Sequence, residues 1–258
     1  MKFTALELNN STAYISVIAM MVLSVVACLG AYILLNKIPA KWLCDYDEEP
    51  GEELLGQRYS FKRSGIITSA LFAIISAVNI VTFGYSLYTI IAFLILICLL
   101  LITLSDGKFS IIPDQFTIAL AVLSLALAVI DLNGSQVFIK AWWHIPLGAA
   151  CGGGLLMAIN FISLLVFKKL GMGFGDVKLL AAMGLLMGFP GIFLMIGIAL
   201  ITAFVYVIFL VIKKIVTKSE ELGYFPFGPF ICLGFAFYML FFEQIGRLVE
   251  MYLSLIGV

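Results

Sequence analysis

Apolar stretches long enough to cross a lipid bilayer recur about eight times along this chain of 258 residues. A bilayer core about 30 Å thick needs roughly 20 consecutive apolar residues in a helix. Such runs lie near 12–36, 65–83, 86–105, 115–132, 147–167, 176–188, 191–212 and 227–246. The sixth is short, and Gly188-Phe189-Pro190 is a turn signal that separates it from the seventh. With 63% hydrophobic and 12% charged residues, against roughly 25% charged in a soluble domain, the chain excludes a water-soluble fold of this size. No segment alternates as a barrel strand does, and hydrocarbon offers no water to an open backbone, so the spans are expected to be helices. The expected class is all-α, a polytopic membrane protein with about eight transmembrane helices. The first run, Thr12 to Leu35, is longer than a signal-peptide core and lacks a basic start, so it is expected to be retained.

Lysine and arginine fix the expected orientation, because basic residues favour the cytoplasmic side. With the N-terminus outside, the inside connections carry Lys37, Lys41, Arg58, Lys62, Arg63, Lys108, Lys168, Lys169, Lys178, Lys213, Lys214 and Lys218. The outside segments carry only Lys2, Lys140 and Arg247, so twelve of the fifteen basic residues fall inside. Both termini are therefore expected outside. The longest hydrophilic segment, Lys37 to Ser64, lies in the cytoplasm on this reading, as do the turns at Asp106 and Asp176. The lipid bilayer is the expected surrounding, and no nucleic-acid partner is expected.

Few residues outside the 37–64 segment and the chain ends can carry chemistry. The five cysteines, Cys28, Cys44, Cys98, Cys151 and Cys232, form no Cys-x-x-Cys pair, so neither a zinc site nor a disulfide framework can be read, and no metal is expected. His144, the single histidine, sits in Trp142-Trp143-His144 on the outside and reads as a bystander beside interfacial tryptophans. The Gly148–Gly154 cluster suits close packing of the fifth helix. The acidic residues are Asp106, Asp114, Asp131, Asp176, Glu220, Glu221 and Glu243. An ionisable group at membrane depth costs about 2.5–3.5 kcal/mol by insertion scales and so tends to mark function.

Asp106 follows the third run and Asp176 opens the sixth, which puts two carboxylates from different helices at one depth. Such a pair shares a proton when held a few ångströms apart. One member can then act as general base on a water while the other protonates a carbonyl oxygen. Singly, each aspartate reads equally well as a helix cap. Context separates the readings. Asp176 closes Gly171-Met172-Gly173-Phe174-Gly175-Asp176, where alternating glycines allow positive φ and close approach of another chain. Asp106-Gly107 leads to Ile112-Pro113-Asp114-Gln115-Phe116-Thr117, with Pro113 placed to start a helix.

These strings, in order, resemble the type IV prepilin leader peptidase family of GxGD membrane aspartyl proteases. Asp-x5-Ile-Pro-Asp-x-Phe-Thr is followed by Gly-x-Gly-Asp-Val-Lys-Leu, and Pro226-Phe227-Gly228-Pro229-Phe230 resembles the family's string before the last span. Asn36-Lys37-Ile38-Pro39 more weakly resembles the family's segment after its first helix. The resemblance implies that Asp106 and Asp176 are the catalytic aspartates, with Gly173, Gly175, Pro113, Asp114, Lys178, Pro226 and Gly228 as structural support or substrate contacts. Lys178 reads as a border marker, or as a charge biasing Asp176. Residues 1–64 would be a reduced N-terminal region and 65–258 the peptidase domain.

The implied activity removes the short basic leader of type IV prepilin or pseudopilin precursors at the cytoplasmic face. Bifunctional members also methylate the new N-terminus from S-adenosylmethionine and bind zinc through two Cys-x-x-Cys pairs in the first cytoplasmic loop. Here that loop holds only Cys44, and no residue can be matched to methylation. The acidic cluster Asp45, Asp47, Glu48, Glu49, Glu52 and Glu53 reads as a solvated loop or as an attractor for a basic leader. Two other classes compete with the peptidase. A proton- or ion-coupled transporter would hold its carboxylates near the midplane and show inverted repeats, which this chain lacks. A degenerate, non-catalytic assembly factor would not need both aspartates intact.

Overall fold

The computed structural model describes residues 11–44, 56, 58–169, 171–217 and 226–256. Among these the backbone is helical, with no strand, as a chain whose solvent is hydrocarbon requires. The helices are α1 (Ser11–Lys37), α2 (Arg63–Phe83), α3 (Leu87–Phe109), α4 (Asp114–Asn133), α5 (His144–Phe167), α6 (Phe174–Thr217), α7 (Gly228–Leu240) and α8 (Phe242–Ile256), with a 3-10 turn at Ala40–Leu43. The expected all-α membrane class is what the structure has. Six helices are long and apolar enough to cross a bilayer, or seven if the bent pair α7 and α8 makes one span.

One of the six holds two crossings. The apolar helix Phe174–Val216 has 43 residues, or about 65 Å at 1.5 Å per residue, twice the hydrocarbon thickness. It breaks at Gly188 (φ 60°, ψ −173°) and Phe189 (φ −100°, ψ 130°), just before Pro190. Glycine meets the positive φ without steric cost, and a residue preceding proline is pushed out of the helical region. The chain doubles back there. Asp176 and Leu200, about 36 Å apart along a straight helix, line one and the same cavity. The turn signal at 188–190 thus separates two spans, as the sequence implied.

The last expected span, 227–246, is a bent pair of helices. α7 runs only 13 residues, about 20 Å, and α8 leaves it at 83°. The cause lies in the pattern of α8, where Glu243, Arg247 and Glu250 share one face and Ile245, Leu248, Tyr252 and Leu255 another. Such a helix cannot surround itself with lipid on every side, so it does not extend the span.

α3 is the central helix, with Ala92, Ile95 and Ile102 fully enclosed, and it packs against α1, α2, α4 and α7. The outer helices turn large apolar side chains outward, Ile201 and Phe204 among them, which lipid accepts and water would not. α5 and α6 meet along the glycine stripe expected to serve close packing. A Cβ on Gly152 would lie 2.5 Å from the Leu180 carbonyl oxygen, and one on Gly148 or Gly184 would strike the other's backbone. Small residues let two helices approach closely where dispersion, not water exclusion, drives association.

Asp131 is structural. It is fully buried at the end of α4. Its carboxylate accepts Ser135 Oγ at 2.7 Å and the backbone N–H groups of Val137, Phe138 and Ile139 at 3.0, 2.8 and 2.8 Å, organising the turn into α5.

Candidate active site

Asp106 lies in the last turn of α3, which runs on to Phe109 rather than stopping at residue 105 as expected. Ser110 then takes the left-handed conformation, and its N–H caps the Asp106 carbonyl at 2.9 Å. Asp106 is 5% exposed. Its Oδ2 accepts the backbone N–H of Gly228 at 3.0 Å. The first residue of α7 is therefore the donor that holds the α3 carboxylate, and this gives the Pro226-Phe227-Gly228 string a physical role.

Asp176 is the third residue of α6, where the positive end of the helix favours a carboxylate. Its backbone N–H donates to Gly173 O at 3.2 Å, and a Cβ on Gly173 would stand 3.5 Å from Asp176 Oδ2. The two aspartate side chains line one cleft of ≈ 820 Å³. Asp106, Asp176 and Gly171–Gly173 form its polar wall, and Leu200, Phe204, Val207 and Phe227 its apolar one. The apolar wall belongs largely to the returning half of α6, a stretch that sequence patterning marks only as one more span.

The glycines before Asp176 meet one half of the expectation, close approach, and not the other. None of Gly171, Gly173 and Gly175 has positive φ; that conformation is found at Gly84 and Gly188. Close approach is what these positions need. A Cβ on Gly175 would lie 3.2 Å from Ile112 Cβ, and one on Gly171 would lie 3.1 Å from Ser163 Oγ. The α3–α4 turn is thereby seated against the start of α6, which brings the two aspartate-bearing ends together. Pro113 caps α4 with φ −63°, and its carbonyl accepts Phe116 N at 3.1 Å and Thr117 N at 3.2 Å.

Lys178 has a partner that the pattern of the sequence does not reveal. Its Nζ bonds both carboxylate oxygens of Asp114, at 2.8 and 2.9 Å, with the side chains 33% and 28% exposed. This ion pair ties the first turn of α4 to the start of α6. The Asp45–Glu53 cluster and Glu220–Glu221 lie outside the described residues. Pro226 is half-buried just before α7, and His144 packs on Trp143 with ring centroids 4.1 Å apart. No cluster of three or more histidine, cysteine, aspartate or glutamate residues able to hold a metal occurs among the described residues.

Chemically, two carboxyls from separate helix ends that line one cleft can pass a proton between a water and a carbonyl group. The cleft thus presents both carboxyl groups and apolar side chains to whatever enters it.

The chain is 27% identical over 186 residues to a prepilin leader peptidase/N-methyltransferase of Aeromonas salmonicida (strain A449), covering 70% of this chain and 59% of that one. It is 30% identical over 153 residues to a protein of the same name from Legionella pneumophila, covering 58% of this chain and 50% of that one. The chain thus spans between half and three fifths of the length of these curated relatives. No solved structure matches it. The resemblance read from the motifs is borne out, and over residues 93–211, which hold Asp106, Asp176 and the glycine-rich turn between α5 and α6, the chain matches a family model described as the type IV leader peptidase family.

Proposed function

We propose that this chain is a membrane-embedded aspartyl endopeptidase that removes the short basic leader of type IV prepilin or pseudopilin precursors. The observation that carries the proposal is the shared cleft, in which Asp106 from the end of α3 and Asp176 from the start of α6 meet beside an apolar wall. One carboxylate takes a proton from water, and that water attacks the scissile carbonyl carbon. The other carboxyl gives its proton to the carbonyl oxygen, and collapse of the tetrahedral adduct expels the amine of the mature chain. Gly228 N–H holds the Asp106 carboxyl in place, and the apolar wall of Leu200, Phe204 and Val207 receives the hydrophobic part of the substrate.

The site lies at the cytoplasmic face of the cell (plasma or inner) membrane, with both termini outside, an assignment supported by the twelve-to-three distribution of basic residues. Residues 1–64 form a reduced N-terminal region beside a peptidase domain at 65–258. A transporter is the poorer reading, because both aspartates sit in terminal turns rather than in mid-span. The proposal stops at proteolysis. The relatives' names include methyl transfer, but no residue here can be assigned to S-adenosylmethionine, and the zinc-type loop has Cys44 as its single cysteine.

The test is cleavage of a type IV prepilin by the purified protein in detergent, with Asp106→Asn and Asp176→Asn alongside. The wild type is expected to cut at the leader junction and each variant to be inactive. Full-rate cutting by either variant would remove that aspartate from the mechanism. Failure to cut any of several prepilins would favour the transporter or the degenerate reading.

A further inference from the structure

Arg58 is buried, at 7% exposed, and a guanidinium taken out of solvent needs acceptors. It finds them at the end of α1, where Nη1 donates to Leu35 O at 3.2 Å and to Ile38 O at 2.6 Å. Carbonyls in the last turn of a helix lack intrahelical partners and carry the negative end of its dipole, so a cation is stabilised there. The next residue is gripped on both sides of its backbone by one side chain. Asn36 Nδ2 donates to Tyr59 O at 2.9 Å, and Tyr59 N donates to Asn36 Oδ1 at 2.8 Å. That is the pattern of a strand pair, supplied by an amide side chain.

The far side of this segment rests on the helix that carries Asp106. The Tyr59 hydroxyl donates to Leu104 O at 2.8 Å, two residues before the aspartate. Lys108 reaches back to hydrogen-bond the Arg58 carbonyl, and its ammonium stands 4.9 Å from the centre of the Tyr59 ring. The Tyr59 and Phe109 rings meet edge to face at 5.6 Å. Tyr59 also meets Tyr32 of α1 at 6.0 Å. Contacts to α1 on one side and to residues 104–109 on the other leave this piece of chain spanning the gap between two helix ends.

Asp106 needs such support. α3 ends three residues after it, at Phe109, and terminal turns fray because their hydrogen bonds are few and exposed. A reacting carboxylate must nevertheless stay within a fraction of an ångström of its productive position. We propose that residues 58–61 are a strap that fixes the last turn of α3, with Tyr59 as a positioning residue for Asp106 acting through the Leu104 carbonyl. The proposal rests on Asp106 being one of the reacting carboxylates. Asn36, otherwise only a loose motif match, acquires a specific role in holding the strap to α1.

The experiment uses the full chain in detergent with a type IV prepilin as substrate, and compares Tyr59→Phe, Asn36→Ala and the double variant with wild type. Tyr59→Phe keeps the ring packing and loses one hydrogen bond. Its kcat is expected to fall about five- to tenfold, with KM within about twofold. Amide exchange at residues 104–109 should quicken while that of 93–103 stays as in wild type. Asn36→Ala should do the same, and the double variant should be no worse than the poorer single one. Wild-type kcat in Tyr59→Phe overturns the proposal, as does a change confined to yield, melting temperature or KM. Asp106→Asn separates the two ideas. If it cuts at the wild-type rate, the dyad fails and the positioning role with it, whereas an inactive Asp106→Asn beside a fully active Tyr59→Phe sinks the strap alone.

Discussion

Replacing Gly228 by alanine tests whether Asp106 must be held where it is. The added Cβ would lie 2.7 Å from Asp106 Oδ2, 3.0 Å from its Cγ and 3.3 Å from its Cβ. Ordinary contact begins near 3.4 Å, so the carboxylate must move by about 0.7 Å. Rotating the carboxyl group cannot relieve a clash that also involves Cγ and Cβ. The Gly228 N–H survives the substitution, so the hydrogen bond to Asp106 is not itself deleted. Alanine at the start of α7 also favours the helix by up to about 1 kcal/mol. That gain opposes a clash cost of about 1–3 kcal/mol, so the variant should fold and yet be slow. A misplacement of about 1 Å at a reacting group can cost about a hundredfold, so a loss of roughly ten- to a hundredfold in kcat is expected. The assay is steady-state cleavage of a prepilin in detergent, read beside thermal unfolding of the same preparations. Gly154→Ala, where no atom lies within 4 Å of the new Cβ, serves as the neutral control. Gly184→Ala, which drives a Cβ into the backbone of Gly148, should lose the fold and activity together. Wild-type kcat in Gly228→Ala would refute the argument that this glycine is there to admit the aspartate.

Three further outcomes follow from the geometry. Asp131→Ala leaves two buried N–H groups, a partly buried third and Ser135 without their acceptor, and should destabilise the protein by roughly 3–5 kcal/mol in thermal or denaturant unfolding; an unchanged midpoint would show that the turn is held otherwise. Lys178 and Asp114 are partly exposed, so a double-mutant cycle on stability should give a coupling of about 0.5–1 kcal/mol, and the exchanged pair Asp114→Lys with Lys178→Asp should recover most of it; strict additivity would dismiss the pair. Treatment with EDTA should leave cleavage untouched, since the segment between α1 and α2 has Cys44 as its single cysteine, and a loss restored by zinc would overturn the metal-free reading.

Much of this protein is legible in one dimension because a bilayer reduces folding to a short list of solutions. Apolar runs must become helices, and their ends must lie near the two interfaces. Asp106 and Asp176 flank such runs, so their common depth can be read from residue counts alone. Gly188-Phe189-Pro190 marks a reversal that the backbone angles at Gly188 and Phe189 carry. The bend in the last span goes unread because hydrophobicity averaged over 227–246 hides the change of face at Glu243 and Arg247. The glycines before Asp176, expected to supply positive φ and close approach, supply only the second, to Ile112 and Ser163. A sequence tells only that a glycine tolerates both.

Long-range pairing stays out of reach, because lateral packing in lipid depends on which faces meet, and each face is nearly as apolar as the next. Nothing in the local pattern around Asp131 separates a buried turn-holder from a reacting acid. Nor does it join Lys178 to Asp114, Tyr59 to Leu104, or Gly228 to Asp106 across 122 residues. The sequence alone determined a bundle of membrane helices with two aspartates at one level, since hydrocarbon forbids any open backbone and penalises every charge. The tertiary structure decided that these aspartates share a cleft and which glycines, rings and amides hold them there, because side-chain contact is set by helix rotation and close approach, quantities that no stretch of apolar residues encodes by itself.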